Sequence, residues 1–124
     1  DIILGPILTN RSKIELRKQS LKAVGILSKA GLNVSIMTGH PEVPVQHLML
    51  CAAIAVREGM DEEEALKAVT INAARSVRLD RRIGSIEPGK DADLVLYTGH
   101  PFDYMTKVKM TFINGKLVYN NQEG

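Results

Sequence analysis

The spacing of the first two apolar runs constrains this chain most. Residues 1–4 (Asp1-Ile2-Ile3-Leu4) end at Gly5-Pro6, and residues 34–37 (Val34-Ser35-Ile36-Met37) end at Thr38-Gly39-His40-Pro41. Short apolar runs closed by turn formers read as strands buried on both faces. Between them, after a polar loop from Thr9 to Ser12, Ser12-Lys13-Ile14-Glu15 has the form of a capping box. Ile14, Leu21, Val24 and Leu27 follow at helical spacing, so a helix is expected from about Lys13 to Ala30, ended by Gly31 in a left-handed conformation. A strand–helix–strand unit makes the two strands parallel, with a right-handed crossover. Two such strands do not make a stable sheet alone. Further strands are therefore expected before residue 1, and the chain reads as the end of a longer one.

The next stretch is helical. Pro44 suits a first helical position, with Val45, Leu48, Met49, Ala52, Ala53 and Val56 on the buried side and Gly59 as the stop. Asp61-Glu62-Glu63-Glu64 places acids at the positive end of another helix, whose Ala65, Leu66 and Val69 face inward. Thr70 to about Leu79 reads as one more short helix. The pattern changes near Leu79 to Arg82. Ile83 to Lys90 is turn-rich, and Pro88-Gly89 fits the central pair of a type II turn. Ala92–Tyr97 is expected as a buried strand, and Lys107–Ile113 and Lys116–Tyr119 as a hairpin joined by Asn114-Gly115. These tail strands have too little to pack on, which again points to strands upstream. Apart from the tetrapeptide Thr-Gly-His-Pro, present at 38–41 and 98–101, the halves share no repeat.

Composition narrows the functions. The formal charge is +2, from 16 basic and 14 acidic residues, and the short basic groups at Arg17-Lys18 and Arg81-Arg82 read as solvated faces; nucleic acid is not expected as a partner. The single cysteine, Cys51, permits no internal disulfide and sits in an apolar run as a small core residue. No run is long enough to span a membrane, so membrane is not an expected partner and the expected location is cytoplasmic.

Three segments then carry a likeness. They are Val56 to Arg75, ending Thr70-Ile-Asn-Ala-Ala-Arg75; Arg82-Ile-Gly-Ser-Ile-Glu-Pro-Gly-Lys-Asp-Ala-Asp-Leu-Val95; and Phe112-Ile-Asn-Gly-Lys-Leu-Val-Tyr119. Together they resemble the C-terminal part of a metal-dependent amidohydrolase of the imidazolonepropionase-like group, over nearly the whole chain. The resemblance implies an α/β fold: the C-terminal part of a (β/α)8 TIM-like barrel plus the C-terminal strands of a small β-sandwich. Residues 1–80 would end the barrel, with 1–4 and 34–37 as its last two strands, and residues 81–124 would be this end's share of the composite sandwich. The implied chemistry is hydrolysis of a C–N bond in a small molecule by water activated on a divalent metal, zinc being expected in the full-length parent. The parent's remaining barrel would then be the partner of this segment.

The same resemblance locates the site. The family's His-x-His pair and two further histidines belong to earlier strands and have no counterpart here. Its last essential group is an Asp at the end of the eighth strand, which binds metal and shuttles the proton. That position is Gly39, which has no side chain for either task; Thr38 and His40 beside it would line the site or meet substrate. The segment by itself is therefore expected to be inactive and to bind no metal alone. Glu42, beyond a proline, could substitute only with a different loop, and His40 would point away from Gly39 if the strand geometry continued. His47, on an outer helix, and His100, in a turn of the tail, read as structural. So do Asp91 and Asp93 beside turns, Asn72 bonding backbone near a helix start, and Met49 as core filler. Two alternatives remain: a non-catalytic homologue that binds a ligand or partner through the same pocket, and a small free-standing domain that completes its sheets as a homo-oligomer.

Overall fold

A computed structural model of the chain describes residues 1–8 and 22–122. The expected Ser12–Glu15 capping box, the preceding loop, and the helix positions Ile14 and Leu21 lie outside the described residues. In order, the elements are β1 (Ile2–Leu4), α1 (Ala23–Lys29), β2 (Val34–Ile36), a 3-10 turn (Val45–His47) running into α2 (Leu48–Arg57), α3 (Glu62–Ala68), α4 (Ile71–Ser76), β3 (Leu94–Tyr97), β4 (Val108–Ile113) and β5 (Lys116–Asn120). No helix among the described residues is long and apolar enough to cross a membrane.

β1 and β2 pair in parallel, with Ile2 opposite Val34 and Leu4 opposite Ile36. The ladder continues past both ends, since Ile2 N–H donates to the Asn33 carbonyl at 2.8 Å and Met37 N–H to the Leu4 carbonyl at 2.9 Å. Strand alternation puts Leu4, Val34 and Ile36 on one face, where they join a core with Val24, Val43, Cys51, Ala52, Ala55, Met60, Ala65 and Ala68. Small residues let the helices close in. A Cβ on Gly25 would lie 3.1 Å from the Met60 nitrogen, so α1 packs directly on the turn after α2.

The other face differs from the expectation of strands buried on both sides. Ile3 is 52% and Met37 41% exposed. Among the described residues only α4 lies against that face, at the end where the strands begin. Its contact is polar: the Ser35 and Ser76 hydroxyls are 2.8 Å apart, and Asn72 Nδ2 donates to the Val34 carbonyl at 3.1 Å. Asn72 thus ties α4 across to β2 rather than bonding backbone around its own helix start.

Several boundaries also move. Pro44, with ψ 139°, precedes the 3-10 turn instead of opening a helix, and this turns Val45 outward to 59% exposure. The buried stripe of α2 is Cys51, Ala52 and Ala55, while Leu48, Met49, Ala53 and Val56 are half-buried. α4 ends at Ser76, three residues before Leu79, where Arg78 takes a positive φ of 59°. Gly31, at φ 80°, and Gly59, at φ 105°, end α1 and α2 as expected. Asp61 Oδ1 accepts the Glu64 N–H at 3.1 Å, so the acidic run does cap α3.

β3, β4 and β5 form an antiparallel sheet in that order. Asn114 and Gly115, at φ 50° and 73°, make the two-residue turn that matches strand twist, with Ile113 opposite Lys116. β3 is not a buried strand: Val95 is 45% exposed and Leu96 similar, because no second layer of described residues covers the sheet. The segment before β3 is tied down by its own side chains. Lys90 pairs with Glu87 at 2.8 Å across the Pro88-Gly89 turn, and Ser85 bonds the same carboxylate. Arg82 and Asp91 clasp the ends of the stretch at 2.7 Å. Gly84 lies against α4 so closely that a Cβ would come within 2.8 Å of the Ala74 Cβ.

Candidate functional site

The turn 38–45 leaves the C-terminal end of β2, the end at which parallel α/β sheets carry their chemistry. It packs on the exit of β1. Gly5 has φ 152°, and a Cβ there would lie 2.0 Å from the Met37 carbonyl oxygen, so only glycine lets the chain leave β1 so close to the end of β2. Pro6 then faces Gly39. Gly39 has φ 66°, and a Cβ built on it would touch the Pro6 ring at 3.3 to 3.6 Å. Glu42 N–H donates to the Gly39 carbonyl at 3.0 Å and closes the turn.

The flanking side chains diverge. Thr38 is buried and His40 exposed. The Val45 N–H, an orphan donor at the start of the 3-10 turn, donates to His40 Nδ1 at 3.3 Å. A histidine whose Nδ1 accepts a backbone proton carries its own proton on Nε2. The His40 ring is thus fastened to the start of the 3-10 turn through Nδ1.

That bears on metal. Gly39 brings no side-chain donor atom, His40 Nδ1 accepts the Val45 N–H, and Glu42 is exposed. No group of three or more His, Cys, Asp or Glu side chains comes together among the described residues.

The remaining candidates lie elsewhere. His47 is exposed on the 3-10 turn. His100 sits in the β3–β4 loop, where its Nδ1 accepts the Phe102 N–H at 3.2 Å and its Nε2 lies 2.8 Å from Glu62 Oε1 on α3. Asp93 accepts the Asn114 N–H at 2.9 Å, while Asp91 holds Arg82. Asn72 also accepts from Arg75 at 3.2 Å. Cys51 is fully buried, and burial pushes its thiol above the ordinary range, which leaves it unreactive. The cradle of Gly5 and Pro6 around position 39 escaped the sequence reading. Its only signal was the Gly-Pro pair itself, which reads equally well as a strand stop.

The chain is mixed α/β, with a parallel strand pair and the turn 38–45 at its C-terminal end. The family model described as Amidohydrolase family matches residues 7–118, and the chain belongs to that family. Its backbone matches a solved amidohydrolase from Thermotoga maritima MSB8 with a TM-score of 0.93 and 43% identity, over 96% of this chain and 31% of that one. It is 48% identical over 65 residues to an imidazolonepropionase of Picrophilus torridus, covering 48% of this chain and 16% of the relative. It is 44% identical over 77 residues to an adenine deaminase of Methanosphaera stadtmanae, covering 62% of this chain and 13% of the relative. The chain thus spans less than a third of the length of these relatives.

Proposed function

We propose that this chain is the C-terminal segment of a metal-dependent amidohydrolase that cleaves a C–N bond in a small cytoplasmic substrate. The observation that carries the reading is the match to the Thermotoga maritima amidohydrolase, near-complete on this side and under a third on the other. β1 and β2 are then the last two strands of the barrel, residues 1–80 its end, and residues 81–124 one side of the composite sandwich. The exposed Ile3 and Met37, and the open faces of β3, are surfaces the rest of the polypeptide would cover.

On this reading Gly39 stands where the family carries its metal-binding, proton-shuttling Asp, with Thr38 and His40 lining the site. The rest of the ligand set, with zinc as the expected ion, belongs to the upstream barrel, and this segment alone does not catalyse. The names of the relatives supply two test substrates, imidazolonepropionate and adenine. Full-length protein loaded with zinc should hydrolyse one of them, weakly as it stands and faster as Gly39→Asp. Gly39 also favours a second reading, a non-catalytic homologue that keeps the pocket for binding. Ligand binding without hydrolysis in both forms would favour it. Assembly of this segment into a stable homo-oligomer with no other polypeptide would count against both.

A further inference from the structure

We propose that Asn114 is a site of spontaneous deamidation, and that Ala92 and Asp93 hold the reaction in check. Asn-Gly occurs once in the sequence, at Asn114-Gly115. Glycine after asparagine leaves its backbone nitrogen open to the preceding side chain, because no Cβ stands in the way. Both residues are exposed, and among the described residues no group bonds the Asn114 side-chain amide. The reaction is intramolecular. The Gly115 nitrogen loses its proton to solvent base and bonds to Asn114 Cγ. The Cγ–Nδ2 bond breaks, and ammonia leaves with a proton from solvent. Water then opens the cyclic imide at either carbonyl. The product is aspartate, or isoaspartate with the backbone running through the side chain; a water is consumed and an ammonia released.

The folded turn withholds the nucleophile. Gly115 N–H donates to the Ala92 carbonyl at 3.0 Å, and Asn114 N–H to Asp93 Oδ1 at 2.9 Å. Both acceptors belong to the residues that lead into β3, so the entry to that strand clamps the turn between β4 and β5. The first bond keeps the proton on the nitrogen that must lose it. The second sets a carboxylate one residue away, and a negative charge disfavours the amide anion forming beside it. Reaction therefore needs the turn to open from β3, as amide exchange at Gly115 does. Once it occurs, the hairpin suffers. Aspartate at position 114 adds a second carboxylate beside Asp93. Isoaspartate lengthens the backbone between Ile113 and Lys116, which the two-residue turn sets opposite each other.

The test holds full-length protein in warm, mildly alkaline buffer and follows two signals together. One is the amide-to-acid mass gain of the peptide bearing Asn114; the other is hydrogen exchange at the Gly115 amide. A synthetic peptide of residues 110–118 gives the unprotected rate. The folded protein should react at least about 10-fold more slowly than the peptide. Asp93→Ala loses both the bond and the charge, and should speed the reaction in the folded protein about 5- to 20-fold. Asp93→Asn keeps an acceptor and loses the charge, and should speed it about 2- to 5-fold. Gly115 exchange should quicken in Asp93→Ala alongside the mass gain. If Asp93→Ala does not fold, Asp93→Asn decides alone. Equal rates in folded protein and peptide would overturn the proposal. So would an earlier mass gain at another asparagine, or no acceleration in a folded Asp93 variant.

Discussion

Replacing Gly5 with alanine tests the packing that builds the site-facing turn. The added Cβ would sit 2.0 Å from the Met37 carbonyl oxygen and 2.9 Å from its carbon, at a φ of 152° that side chains rarely adopt. Backbone cannot yield as a flexible side chain does, so β1 must withdraw from β2 and strain the Met37 N–H bond to the Leu4 carbonyl. Unfavourable backbone conformation costs about 1 to 3 kcal/mol, and a weakened hydrogen bond about 1 kcal/mol more. Displaced packing adds to both, for a total on the order of 3 to 5 kcal/mol. Gly31→Ala is the control. At φ 80° it carries the conformational cost, but nothing lies within 4 Å of the new Cβ, so about 1 to 2 kcal/mol is expected. Urea denaturation of the two variants in the full-length protein, read against the unsubstituted protein, gives the difference. Equal losses would refute the close approach of Gly5 to Met37.

Three further perturbations reach other parts of the account. Asn72→Ala removes the amide that serves the Val34 carbonyl and should cost about 1 to 3 kcal/mol in denaturant melts; Asn72→Asp, which sets an oxygen against that carbonyl, should cost at least as much. Asp61→Ala removes the cap on the Glu64 N–H and should lower stability by about 1 kcal/mol, with Asp61→Asn restoring most of it. Hydrogen bonds from Lys90 and then Ser85 hold the Glu87 carboxyl below the ordinary glutamate range. A lowered folded-state value stabilises above the unfolded value, and the benefit is lost as pH falls through the folded one. Melting temperature should therefore drop less steeply from about pH 5 to about pH 3 in Glu87→Gln than in the unsubstituted protein; because the group is exposed, the change should be small.

Local chemistry was legible in the sequence wherever one residue decides the outcome. Asn114-Gly115 fixed the hairpin, Asp61 the start of α3, and Gly31 and Gly59 the ends of two helices. The parallel pairing of β1 and β2 followed from their spacing. Burial was less legible, because it depends on layers that a strand cannot name. Ile3, Met37 and Val95 have the composition of core residues and face no described layer. Pro44 shows another limit: it caps a 3-10 turn instead of opening the helix, and Val45 is exposed. At the candidate site the sequence located Thr38, Gly39 and His40 but not their surroundings. Pro6 beside Gly39 and Val45 beside His40 are meetings across a turn or between two loops, to which no periodicity points.

The central claim is that position 39 is the place of the metal-binding carboxylate. The backbone there suits the test, since aspartate tolerates a left-handed φ of 66° better than most residues and its Cβ needs only a few tenths of an ångström from the Pro6 ring. The decisive measurement is the zinc retained per chain by full-length protein, with Gly39 and as Gly39→Asp, after equal dialysis against a mild chelator. The account predicts clearly more zinc in the aspartate form. Equal retention by the two folded proteins would contradict it.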